Sequence, residues 1–301
     1  MFYDKEAPYS PYTSLKKAVD ETMTRLLATV QPPELRQALM HGVSGGKRVR
    51  AIVTMLSCSA TGGEAFDALQ ASTAIELLHT SSLVHDDIMD GADTRRGVAT
   101  IHSRYGTSMA ILAGDTLIAL ALQLLQNVNS PNKERIMMRF TKAFLHTCEG
   151  QGYDLALSRP PMGSLDVHRL MVEKKTARLL EGAASIGGMT GTTNEDHIRA
   201  LGRFGFDLGM AFQAKDDLLD QTGDAKTLGK PVHADRRNGK ITFVSLAVAG
   251  GAGKHGPGWA DVADQVEELT RSACAHLDAL PPTPARENLK SLAHSLLVRE
   301  A

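Results

Sequence analysis

A chain of 301 residues, 43% hydrophobic and 22% charged, is long enough to bury one large core. Its formal net charge of -1 excludes nucleic acid or an anionic membrane as an obligatory electrostatic partner, so any phosphate recognition must be local. Cys58, Cys148 and Cys274 have neither CxxC spacing nor an even count, which excludes a disulfide framework or a zinc site and reads as reduced cytosolic thiols.

The opening MFYDKEAPYSPYTS places acids and prolines where a secretory signal needs a basic and then an apolar run, so a cytoplasmic location is expected. Apolar residues then recur with a helical period, which predicts helices over roughly 13–30, 33–42, 48–60, 66–90, 107–128, 131–156, 164–187, 194–221, 238–250, 258–279 and 284–298. The turn-forming stretches GVSGG, TGGEA, SPN, RPPMG, MTGTTN, GGAGKHGPG and LPPTP part them. No stretch has the sustained alternation or the turn dipeptides of a sheet, so the expected fold is all-α. No linker divides the chain, and one helical domain over 1–301 is expected. The longest apolar run, MAILAGDTLIALALQLL, is broken by Gly114, Asp115 and Thr116, which predicts a buried helix rather than a membrane span.

Two of these helices end in DDxxD. HDDIMD supplies Asp86, Asp87 and Asp90, and KDDLLD supplies Asp216, Asp217 and Asp220. At average aspartate usage such a motif arises by chance in roughly one chain in fifteen of this length, so a pair calls for a cause. On a helix the first and last aspartates stand about one turn apart on one face, where they repel unless neutralised. A solvated acidic face is the ordinary fate of such clusters, but both sets close apolar helices, TAIELLHTSSLV and LGMAFQA. Hard divalent ions neutralise such groups, and Mg²⁺ takes only one or two carboxylates while keeping sites for phosphate oxygens. Two such sets therefore suggest a Mg²⁺–diphosphate cluster. A calcium loop counted from Asp86 fails, since Ile88 and Gly97 stand where oxygen ligands are needed. An HD-type metal pair at His85–Asp86 leaves the rest of the motif unexplained, because adjacent helical residues point about 100° apart.

Cations recur near these sets: Lys47 and Arg50 in GGKRVR, Arg95 and Arg96 in DTRRG, Lys175 in KKTARLL, Lys230 in LGKP and Lys240 in NGKITF. Each alone is a solvated charge; together with glycines that admit close backbone approach they suit more than one diphosphate.

In order, SGGKRVR, IELLHTSSLVHDDIMDGADTRRG, ILAGDTL, EGQGYDL, EKKTARLLEGA, FQAKDDLLD and LGKPVHADRRNGKITF resemble the successive motifs of the trans-type isoprenyl diphosphate synthases, over about residues 40 to 300. Ala51 departs from that pattern, where a proline usually follows GGKRxR. The resemblance implies a helical bundle around a central cavity, and a reaction joining isopentenyl diphosphate to an allylic diphosphate such as dimethylallyl, geranyl or farnesyl. It implies Asp86, Asp90 and Asp216 as principal Mg²⁺ ligands, supported by Asp87, Asp217 and Asp220, with three ions per active site. Arg95, Lys175, Lys230 and Lys240 would hold the allylic diphosphate, and Lys47, Arg50, His79 and Arg96 isopentenyl diphosphate. Gln151, Asp154, Thr176 and Gln213 match positions lining the site. His79 precedes Asp86 by seven residues and shares its helix face, which favours a site residue over a core histidine.

The resemblance implies no nucleophilic side chain, a homodimer through helices near 109–125, and no obligatory membrane. A terpene cyclase would need no second diphosphate pocket, and a silent regulatory subunit would be expected to lack aspartates or lysines that are all present here. Ser81 and Ser82, five and four places before Asp86, are small where bulk limits product length in the family, so geranylgeranyl diphosphate or a longer product is expected. Serines at mid-helix can equally just back-bond to carbonyls.

Overall fold

The structure is a computed structural model that describes residues 11–157, 165–222 and 257–297. Helix α1 (Pro11–Leu27) buries Leu15, Val19, Met23 and Leu27, a stripe at every fourth residue that turns one face inward. Helix α2 (Pro33–Gly42) opens on a proline, which loses nothing in a first turn whose N–H groups have no helical partner. Helices α3 (Val49–Ala60) and α4 (Leu69–Met89) are joined through a 3-10 turn at Ala65–Ala68. Both are buried on nearly all sides, α4 from Ala71 to Leu78 without a break, so they form the centre of the bundle rather than an amphipathic wall.

Beyond α4 the chain makes a feature that the sequence reading did not expect. Strands β1 (Thr94–Arg95) and β2 (Val98–Ala99) pair antiparallel with Thr94 opposite Ala99. Their loop, Arg96–Gly97, has φ of 54° and 77°, the left-handed pair that a two-residue hairpin turn needs. Strands of two residues show no alternation, and an arginine stands where Asn or Asp normally marks such a turn, so the sequence carried no signal. The short helix α5 (Ile101–Tyr105) is likewise below the length at which periodicity speaks; Thr100 caps it, its hydroxyl accepting from the Ser103 N–H at 3.4 Å.

Helices α6 (Thr107–Gln126) and α7 (Lys133–Leu157) follow the expected pattern. The predicted helix at 164–187 is two, α8 (Leu165–Val172) and α9 (Arg178–Gly191), joined by a π-helical turn at Glu173–Ala177. Helix α10 (Glu195–Thr222) is followed, among the described residues, by α11 (Pro257–His276) and α12 (Pro284–Leu297). The predicted helix at 238–250, with Lys230 and Lys240, lies outside the described residues. Helix α6 is long and apolar enough to cross a membrane by composition alone, yet it packs along α4 and buries Ala110, Ala113, Leu117, Ala121, Leu124 and Leu125. Helix α9 packs between α3 and α10, which brings the two DDxxD helices into one bundle.

Candidate active site

Because α4 is largely buried along its length and gathers its aspartates at its exit, burying the helix delivers Asp86, Asp87 and Asp90 to the edge of the core. Asp87 is buried, and the hairpin answers it: Arg95 on β1 donates from Nε to its Oδ1 at 2.8 Å, a terminal nitrogen stands 2.8 Å from the same oxygen, and Asp86 Oδ2 is 3.8 Å away. Burial pushes the Asp87 carboxyl up, against the opposing hydrogen bond and charge of Arg95. The run of acids followed by two arginines is thus a helix end and a hairpin folded onto each other.

The second cation comes from the π-helical turn. Lys175 Nζ lies 2.7 Å from Asp154 Oδ2 and 3.1 Å from Asp86 Oδ1, tying α7 to α4. The turn nests on Gly150 of α7, where a Cβ would stand 2.3 Å from the Lys175 backbone nitrogen, so only glycine admits it. An extra residue in a helical turn re-aims the side chains that follow, and such turns gather at functional sites. Thr176 Oγ1 donates to Gln213 Oε1 at 3.1 Å, and Gln213 Nε2 donates to Asp217 Oδ1 at 2.9 Å. His168, 1% exposed on α8, places Nε2 3.9 Å from Asp217 Oδ2; burial pulls its pKa down to about 4, against the charge of Asp154. Asp216 is half-buried on α10, and the side chain of Asp220 is outside the described set. Gln151 Oε1 is buried with no hydrogen-bond partner among the described residues, and its Nε2 lies 4.0 Å from Met89 Sδ.

Beside the acids stands a wall of cations built by the turn into α3 and by the hairpin loop. Arg50 donates to His79 Nε2 at 3.1 Å. Desolvation, then Arg50, Arg96, Arg95 and Arg48, hold the His79 pKa well below the usual imidazole value, so the ring is neutral and carries its proton on Nδ1. Arg96 reaches back from the hairpin to Gly46, with a terminal nitrogen 2.7 Å from where a Cβ on that glycine would stand. Lys47 lies half-buried in the same turn. Arg50 is also within the field of Asp216, which links this wall to the second acidic set.

Two residues that sequence reasoning passed over, Arg48 and Glu76, belong here. Arg48 has φ of 54° and is 5% exposed; its Nε donates to Asp20 Oδ1 on α1 at 2.7 Å, and a terminal nitrogen lies 3.7 Å from Glu76 Oε1. A left-handed arginine cannot be read from GGKRVR, whereas Glu76 is visible in retrospect as a lone acid inside AIELL. Ser81 is 1% exposed, and Ser82 donates its hydroxyl to the His79 carbonyl at 2.8 Å, so at Ser82 the helix back-bond is real.

The donor set can be tested for Mg²⁺. The acids on α4 and α10 offer only hard carboxylate oxygens, and among the described residues no three acidic or imidazole groups converge closely enough to hold an ion alone. That suits an ion taking one or two carboxylates and completing its shell with phosphate oxygens and water, so the residues fit.

A family model described as polyprenyl synthetase matches residues 32–254. The geranylgeranyl diphosphate synthase of Sulfolobus acidocaldarius is 42% identical over 219 residues, 71% of this chain and 66% of that protein. The chain thus spans just under two thirds of that relative's length. Geranylfarnesyl diphosphate synthase of Aeropyrum pernix is 36% identical over 75% of this chain and 74% of its own. The crystal structure of geranylgeranyl pyrophosphate synthetase from Pyrococcus horikoshii superposes with a TM-score of 0.90 at 34% identity, covering 97% of this chain and 100% of that one.

Proposed function

The chain belongs to the polyprenyl synthetase family, and we propose that it is a prenyltransferase joining isopentenyl diphosphate to an allylic diphosphate, whether dimethylallyl, geranyl or farnesyl, with release of diphosphate. The observation that carries this reading is the adjacency of two unlike arrangements. An acidic set on α4 is bridged to the rest of the bundle by Arg95 and Lys175, and a wall of Arg50, Arg96 and neutral His79 stands next to it. One substrate must lose a diphosphate and the other must keep it, and that difference calls for two sites of different charge.

Asp86, Asp90 and Asp216, supported by Asp87, Asp217 and Asp220, would hold Mg²⁺, three ions in all, which would supply Lewis-acid neutralisation of the departing diphosphate. Lys175 and Arg95, with Lys230 and Lys240, hold that diphosphate in line with its breaking C–O bond, so charge is met where it develops. Gln213, fixed by Thr176, keeps Asp217 turned to the same place. Lys47, Arg50 and Arg96 hold isopentenyl diphosphate, and His79 presents its Nδ1–H while its Nε2 accepts from Arg50. The isopentenyl double bond attacks the allylic cation, and the released diphosphate takes the final proton, so no side-chain nucleophile is needed. Water must be kept from the cation, or it is hydrolysed.

Ser81 and Ser82 put little bulk on the helix turn below Asp86, which supports a product of geranylgeranyl diphosphate or longer. The acting unit is one domain and a soluble cytoplasmic homodimer, closed over the exposed Ile111 and Leu112 of α6 with Met138 and Leu145 of α7. Incubation with isopentenyl diphosphate, each allylic primer and Mg²⁺, with products read by mass spectrometry, tests the reading. Products of twenty or more carbons that vanish on chelation are expected; turnover that survives complete chelation, or a cyclised hydrocarbon, overturns it.

A further inference from the structure

We propose that Glu76 is a positioning residue for the isopentenyl diphosphate pocket, holding the guanidiniums of Arg48, Arg50 and Arg96 in one wall from behind. This rests on reading Arg50, Arg96 and His79 as that pocket. Glu76 is 4% exposed on α4, three residues before His79 and between the buried Ile75 and Leu77. An ionised carboxylate at such depth is costly unless compensated. It has two compensations. The Ala51 N–H, in the first turn of α3, donates to Oε2 at 3.4 Å, and the positive end of that helix favours an acid there. Arg48 stands 3.7 Å from Oε1.

Arg48 has no reach toward a ligand. It is 5% exposed, its Nε is committed to Asp20, and another nitrogen donates to the Val43 carbonyl. It is a brace between α1, α3 and α4 rather than a phosphate ligand, although it sits in the middle of GGKRVR. Two residues on, Arg50 feels Glu76 more strongly than any other charge, ahead of the repulsion of Arg96 and the attraction of Asp216. Like charges repel by an amount that grows as water is removed. One acid set behind several cations lets the wall stay assembled and still face a diphosphate with net positive charge.

A positioning role and a mere background charge differ in sign. If Glu76 only subtracts from the pocket's positive potential, removing it tightens anion binding; if it holds the wall together, removing it weakens that binding. The test is steady-state kinetics of the wild type, Glu76→Gln and Glu76→Asp, with calorimetric binding of isopentenyl diphosphate to each free protein and a thermal melt. Glu76→Gln keeps the shape and deletes the charge, and is expected to raise KM and Kd for isopentenyl diphosphate about ten- to hundredfold while the farnesyl diphosphate KM stays within about twofold. Glu76→Asp retains the charge one methylene further back and is expected to give a smaller rise confined to the same substrate. Equal or tighter binding by the Gln variant overturns the proposal, as does a parallel rise for both substrates, which marks general loss of structure. Should the Gln variant fail to fold, the Asp variant decides: a rise for isopentenyl diphosphate alone supports the proposal, and unchanged or parallel constants overturn it. A wild type that binds isopentenyl diphosphate but condenses nothing refutes the prenyltransferase reading alone, and the binding constants still judge Glu76.

Discussion

At His79 the wall of guanidiniums keeps an imidazole neutral, which gives the folded protein a pH signature. Its folded pKa lies below the unfolded value of 6.5, so the unfolded chain takes up a proton that the folded chain refuses. Stability is therefore fully present above about pH 6.5 and is lost as the pH falls below it, by at most about 1.4 kcal/mol per pH unit for this group. Buried His168, with its pKa near 4, adds a second contribution of the same sign. Denaturant unfolding of the wild type and His79→Gln between pH 7.5 and 5 is expected to show a shallower slope in the variant; equal slopes would mean that His79 protonates freely in the folded state. His79 was singled out in the sequence by its spacing from Asp86, and both sets of aspartates by their DDxxD motifs. Arg48, Glu76 and His168 were not, because their importance comes from burial and from partners on other helices: Asp20, Ala51 and Asp217 are respectively 28, 25 and 49 positions away in sequence. No local pattern carries such pairings.

Among the elements, the π-helical turn at Glu173–Ala177 makes the sharpest demand on its neighbour. Gly150→Ala places a Cβ 2.3 Å from the Lys175 nitrogen and 2.6 Å from its Cα, so backbone must move. Overpacking of this kind costs about 1–3 kcal/mol, and the displaced Lys175 is expected to lower kcat about tenfold or more. Gly152 lies on the same helix with nothing within 4 Å of its Cβ position, so Gly152→Ala is the control. That change should raise stability by about 0.5–1 kcal/mol through helix propensity and leave kcat within about twofold. Thermal melts and steady-state rates check both, and a Gly150→Ala protein with wild-type kcat would show that the turn does not aim Lys175. Long elements such as α4, α6, α7 and α10 were legible because their apolar period runs for several turns. The π-helical turn was not, since one extra residue shifts the period without breaking it. The β1–β2 hairpin escaped for the opposite reason: it is too short to have a period, and its left-handed Arg96, whose side chain lies against Gly46, is not a residue that local preference puts there.

Across the whole molecule the fold sets α4 and α10, each with an acidic exit, in one bundle through α9, with cations supplied by α3, the hairpin and the π-helical turn. Fold class was readable from the sequence because helical periodicity dominates throughout, and the superposition on the Pyrococcus horikoshii enzyme over 97% of the chain agrees with it. That the two acidic sets share one ligand is an inference of chemistry: Arg95 and Lys175 offset Asp86 and Asp87 only in part, and an added divalent ion with a diphosphate would complete the compensation. The central claim is that both sets act on one leaving diphosphate. Its most direct test is the rate of condensation of isopentenyl and farnesyl diphosphates by Asp86→Ala, Asp216→Ala and the double variant, with folding checked by circular dichroism. Each single change is expected to lower kcat by roughly two orders of magnitude or more, and the double variant to fall well short of the product of the two losses, because groups acting as a unit are not additive. A single variant retaining a rate within a few-fold of wild type, or a double variant whose loss is the full product of the singles, would contradict it.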